Sequence, residues 1–115
     1  MQFLNKGDIV IAYFPQEDQD SSDLRPCLVI SIEEGDVFAA KITTTRLDQI
    51  WAYNLLQGES AVSRGKIMKD SWVNLRRCER IPVEDVKKIV ASLKPDVFGE
   101  IISLLASLMN PKKFG

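Results

Sequence analysis

From Asp8 to Phe14 the chain is almost unbrokenly apolar, a pattern that predicts a short strand buried on both faces and ended by Pro15. Residues 16–23 are all Gln, Glu, Asp or Ser. Nothing in that stretch anchors it in a core, so it should form an exposed, mobile loop. Apolar character returns over residues 27–32, the second predicted strand. Glu33-Glu34-Gly35-Asp36 reads as a hairpin turn in which Gly35 is free to take positive φ, and a third strand follows from Val37 to about Thr45. Weak alternation over residues 51–57 suggests a fourth strand. The polar stretch 58–65 suits a loop or a short helical turn, and residues 66–68, 71–79 and 86–93 read as the remaining strands.

The period then changes. Pro95 suits the first turn of a helix, and Val97, Phe98, Ile101, Ile102, Leu104, Leu105, Leu108 and Met109 recur at helical spacing. Glu100, Ser103 and Ser107 form a narrow polar stripe, and Asn110-Pro111 is a stop signal. So wide an apolar face leaves two readings open: the helix caps its own domain's core, or part of it lies against a second subunit. Short strands in close succession followed by one helix point to a mainly β fold, a strongly bent antiparallel sheet or partly open barrel with a C-terminal helix.

At 115 residues and 45% hydrophobic, the chain should be a single domain spanning residues 1–115. Such a domain buries somewhat under ~70% of its unfolded surface. The longest strongly apolar stretch, residues 101–109, is about half of what a bilayer requires. Residues 1–7 lack the regions of a signal peptide, so the expectation is a soluble cytoplasmic protein with no membrane partner. Cys27 and Cys78 sit in separate apolar runs without CxxC spacing, as small core residues do. With two Cys and no His, zinc lacks ligands; neither metal nor cofactor is expected.

Charge is divided along the chain. Residues 1–36 hold eight acids against Lys6 and Arg25, a balance of -6, whereas residues 64–94 hold nine bases against four acids, a balance of +5. That asymmetry permits a local polyanion-binding face despite the net charge of -1. It is equally the pattern of solvated strand faces in which the two halves pair. Within the acidic half, Arg25 stands at the mouth of an apolar strand in a chain with no histidine. It is the first candidate for a phosphate-binding or catalytic side chain, its rival role being a surface ion pair with an acid of its own loop.

Several stretches resemble one family in order. Gly7-Asp8-Ile9-Val10, then Leu24-Arg25-Pro26-Cys27-Leu28-Val29-Ile30-Ser31, then Ala39-Ala40-Lys41-Ile42-Thr43-Thr44 are similar to the PemK/MazF toxin-antitoxin ribonucleases. So are Asp70-Ser71-Trp72-Val73-Asn74-Leu75 and Lys87-Lys88-Ile89-Val90-Ala91-Ser92-Leu93 before a helix. The resemblance implies an SH3-like barrel of the CcdB/PemK type, a homodimer, and metal-independent cleavage of single-stranded RNA, neutralised by a cognate antitoxin protein. It also implies that Arg25 and Thr43 are the catalytic pair.

Those residue types suit the reaction. Attack by the RNA's own 2'-hydroxyl requires removal of its proton, stabilisation of the phosphorane charge and protonation of the leaving oxygen. Arg25 suits the second task, because a guanidinium is always charged and grips phosphate oxygens with a planar fork of donors. The Thr43 hydroxyl can hold a nonbridging oxygen or the 2'-hydroxyl, and Thr44 and Thr45 beside it are candidate substrate-binding residues, though all three also read as ordinary β-formers. Neither residue is a natural general base; Asp20 or Asp23 could supply one. Trp72, Arg46 and Arg76 are candidates to hold bases by stacking or cation–π contact, while Trp51 and Trp72 also suit core anchors. Leu24 stands where some relatives have histidine, so histidine-assisted chemistry is excluded, and the loop's four acids oppose phosphate binding. The alternative is a non-catalytic barrel of the same family that acts by protein binding.

Overall fold

The computed structural model describes residues 3–16 and 21–109. It contains β1 (Asp8–Pro15), β2 (Ser22–Glu33), β3 (Asp36–Thr43), β4 (Ala52–Leu55), β5 (Val62–Gly65), β6 (Ser71–Pro82), a 3-10 turn (Val83–Asp85), β7 (Val86–Leu93) and α1 (Pro95–Leu108). The strands form one antiparallel sheet in the order β4-β6-β3-β2-β1-β7-β5. β1, β2 and β3 are the expected meander. Glu34 at φ 44° and Gly35 at φ 86° make the tight turn between β2 and β3. Arg80 of β6 braces that turn, lying 3.3 Å from Glu33 and 3.6 Å from Asp36.

The sheet is open, because β4 and β5 are its two edges. In a flat sheet those edges would stand six spacings, about 29 Å, apart. Instead Leu55 of β4 and Val62 of β5 join one core with Leu28, Ile42 and Val73, so the sheet curls until its edges face each other across that core. Helix α1 closes the concavity. Ile101 is fully buried there, and Val97, Phe98, Ile102, Leu104, Leu105 and Leu108 pack partly buried around it. The helix therefore caps the chain's own core, and Met109 at its end is 71% exposed. A second cluster of Val10, Ala12, Phe14, Cys27, Val29, Val37, Ala39 and Ile81 lies on the other pleat face.

Several boundaries differ from the sequence reading. Burial of β1 on both faces holds only near its start: Ile9 and Val10 are buried, but Tyr13 is 38% exposed. β2 starts at Ser22, five residues early, because Ser22 and Asp23 continue the pairing with Pro15 and Phe14. β3 ends at Thr43. Residues 62–65, expected in a loop, form edge strand β5 on β7, and residues 66–68 form no strand; buried Ile67 exchanges two backbone hydrogen bonds of 2.9 Å with Gly58. Both cysteines are free thiols. Residues 17–20, with Asp20, and the stop at Asn110-Pro111 lie outside the described residues. Among the described residues no helix is long and apolar enough to cross a membrane.

Candidate active site

The β2–β3 register positions the two residues of greatest chemical interest. Cys27 and Lys41 are the last paired residues of β2 and β3, and Arg25 and Thr43 each lie two residues beyond them on their own strands. Alternation puts Arg25, Cys27, Lys41 and Thr43 on one pleat face. That face is the second core, and where its apolar residues run out its rim becomes polar. On the far side of β3, Thr43 pairs with Trp72 and Lys41 with Asn74; Trp72 pairs in turn with Asn54 of β4. Arg25, Lys41, Thr43, Trp72 and Asn74 thus form a continuous patch across three strands.

Arg25 is half exposed, and its Nη2 lies 3.4 Å from Asp23 Oδ2. The same carboxylate oxygen accepts a hydrogen bond from Gln16 Nε2, so Asp23 is held from both ends of the loop. Arg25 and Lys41, with Phe14, Pro15 and Gln16, line a cavity of about 190 Å³. Arg77 of β6 lies behind it: Nη2 donates to the Pro15 carbonyl at 2.8 Å, the guanidinium lies 5.5 Å from the Phe14 ring centre, and Nη1 lies 3.5 Å from Glu79. Thr43 Oγ1 accepts from the Thr45 backbone N–H at 3.1 Å, which fixes the oxygen and leaves the hydroxyl proton to donate. Thr43 and Thr44 also border an apolar groove of about 580 Å³ whose walls include Ile9, Ile11, Pro26, Ile67 and Met68, with Lys66 and Lys69 beside them.

The remaining predicted residues are not all gathered at this patch. Thr44 and Thr45 follow Thr43 on the exposed turn. Arg46 donates to Asp48 at 2.7 Å, and that hydrogen bond and the adjacent charge raise the guanidinium above its ordinary value. Arg76 is exposed and stacks its cation 5.5 Å from the Trp51 ring centre. Lys41 and Arg77 are additions that sequence reading missed. The signal for Lys41 was a cation at alternate spacing with Ala39 in an otherwise apolar run. Among the described residues no three His, Cys, Asp or Glu side chains cluster as a metal site would require.

Residues 5–109 match the family model described as PemK-like, MazF-like toxin of type II toxin-antitoxin system. The chain belongs to this family. Solved structures similar to this PemK/MazF chain include MazF from Deinococcus radiodurans in crystal form I, 19% identical, covering 95% of this chain and 98% of that one with a TM-score of 0.70. An endoribonuclease from a mycobacterial species is 20% identical, with coverage of 94% and 95% and a TM-score of 0.66. A mycobacterial endoribonuclease in complex with its cognate antitoxin is 18% identical, with coverage of 90% and 92% and a TM-score of 0.65. At these identities the likeness is one of fold. No curated protein sequence matches the chain.

Proposed function

We propose that this PemK/MazF-family protein is an endoribonuclease that cleaves single-stranded RNA, mRNA in the cell, by metal-independent transesterification. The observation that supports the reading is the pair Cys27↔Lys41, which puts Arg25 and Thr43, each two residues further along its strand, on the same pleat face, with Trp72 paired to Thr43. Arg25 stabilises the phosphorane oxygens, and the Thr43 hydroxyl, oriented by the Thr45 N–H, donates to a nonbridging oxygen. Trp72 offers a ring on which an adjacent base stacks. Asp23, hydrogen-bonded to Arg25, accepts the 2'-hydroxyl proton once a phosphate displaces it from the guanidinium, and the departing 5'-oxygen takes a proton from solvent water.

A cognate antitoxin and a second copy of the chain are the proposed protein partners, acting in the cytoplasm. The apolar groove with lysines beside it suits an acidic segment bearing apolar side chains. The neutralisation of Arg25 by Asp23 and of Arg46 by Asp48 favours one alternative, a non-catalytic family member acting through that groove. The deciding experiment incubates the protein and an Arg25→Ala variant with long single-stranded RNA in the presence of a chelator. Cleavage leaving 2',3'-cyclic phosphate ends with the wild type, and none with the variant, is the expected result. Equal cleavage by both, or by neither, overturns the assignment.

A further inference from the structure

We infer that Lys41 is a phosphate-binding residue that holds a second, non-reacting phosphate of the RNA strand next to the one taken by Arg25; this rests on the ribonuclease reading above. Pairing and burial together single the residue out: among the described cations with no carboxylate within 4.0 Å, Lys41 alone is not exposed. Arg25, Arg46, Arg77 and Arg80 each lie within 4.0 Å of a carboxylate, whereas Lys41 has no acid partner among the described residues. Its side chain is half-buried, on a strand flanked on both sides by paired neighbours. An ammonium in such a place loses hydration without gaining a counter-charge, a cost that a bound anion offsets.

Position supports the same assignment. Lys41 and Arg25 face one cavity of about 190 Å³, and among the described residues no acid lines it. Lys41 lies two residues from Thr43 along β3, about 6.8 Å at the antiparallel rise. A strand with its reacting phosphate between Arg25 and Thr43, and a base on Trp72, therefore has room to carry its next phosphate into the cavity. The two cations suit unequal tasks. The fork of Arg25 matches the changing geometry of the reacting phosphate, while the compact charge of Lys41 suits a phosphate that only has to be held. Arg77, 18% exposed, paired with Glu79 and donating to Pro15, fixes the wall.

The test compares wild type, Lys41→Gln and Lys41→Arg for binding of a 2'-O-methylated single-stranded RNA, read by fluorescence anisotropy over a range of salt concentrations, and for cleavage of the unmodified RNA. Lys41→Gln should bind about tenfold more weakly. The slope of log affinity against log salt should fall by about 0.7, one phosphate's worth for a single strand. Lys41→Arg should restore the slope. In cleavage, the rise in KM should exceed any fall in kcat, a split that a loss of folding does not produce. If wild type binds the RNA and Lys41→Gln binds it with equal affinity and slope, this inference falls while the ribonuclease reading stands. If wild type neither binds nor cleaves, both fall.

Discussion

Tyr53 donates its hydroxyl proton to Glu100 Oε1 at 2.6 Å, joining edge strand β4 to helix α1 across 47 residues of sequence. β4 is a four-residue edge strand whose strand partner is β6, so this bond ties that sheet edge to the helix. Replacing Tyr53 by Phe should cost about 1 kcal/mol, the net value of one such bond. That corresponds to a melting temperature roughly 4 °C lower. Calorimetry on the variant checks it, and an unchanged midpoint would mean that the bond contributes nothing in solution.

Alkaline pH should destabilise the protein for related reasons. Burial and then the Glu100 hydrogen bond push Tyr53 up to about 12, and burial pushes the Cys27 thiol up to about 12 and the Cys78 thiol up to about 11, the last with help from Glu79. Each group holds its proton more tightly folded than unfolded. Its contribution is complete below the unfolded pKa, about 8.5 for a thiol and 10 for tyrosine, and is lost as pH rises through the folded value. Denaturant midpoints should therefore fall steadily above about pH 8.5, and Cys27→Ala should flatten the decline. In the same range the native thiols should resist a thiolate-seeking reagent that labels both cysteines after unfolding.

Gly65 and Gly35 should answer the same substitution differently. Both have positive φ, but a Cβ at Gly65 would lie 2.4 Å from the Val90 carbonyl oxygen and 2.9 Å from the Ala91 Cα, whereas one at Gly35 meets nothing within 4 Å. Gly35→Ala should cost only the left-handed backbone penalty, about 1 kcal/mol. Gly65→Ala must also push β5 off β7 and should cost well above that, about 3 kcal/mol. Equal losses in urea unfolding would show that β5 is already loosely attached.

Asp23 should restrain RNA binding. Its carboxylate holds the guanidinium that the phosphate needs, at the strength of an exposed pair. Asp23→Asn should tighten binding of a 2'-O-methylated RNA about two- to fivefold. If Asp23 takes the 2'-hydroxyl proton, the same variant should cleave more slowly. Weaker binding by the variant would mean that Asp23 orients Arg25 for the phosphate rather than competing with it.

The first three strands, β7 and the helix were legible because their apolar runs are long enough to read, unbroken in β1, alternating in β7 and at helical spacing in α1. β5 was not. Val62-Ser63-Arg64-Gly65 contains one apolar side chain, and it is a strand because β7 offers it an edge to pair with. Residues 66–68 erred in the other direction, since Ile67 is buried through a single bridge rather than a ladder. Arg25 was found from its place at the mouth of an apolar strand in a chain without histidine, whereas Thr43 came only through a family resemblance that its own spacing could not have supplied. The cations around them depend on tertiary register. Between the β3–β6 pairs Ala40↔Cys78 and Lys41↔Asn74, three residues of β6 are unmatched, and Arg77, one of them, reaches back to Pro15. No local pattern announces such an irregularity.

The buried carboxylate of Asp8 accepts hydrogen bonds from Ser92 Oγ at 2.7 Å and from the Asn5 N–H at 2.9 Å, fastening the first strand to the last across 84 residues of chain. A core that needs such a closure cannot form on a nascent chain whose final strand is still inside the ribosome. Folding should then be governed by distant pairings and proceed in milliseconds to seconds, the slow range for domains of this size. During translation the Arg25 strand emerges well before the strand that completes the sheet around it. Activity that depends on the finished sheet would arrive only once that last strand has emerged, all at once rather than in proportion to the length already made.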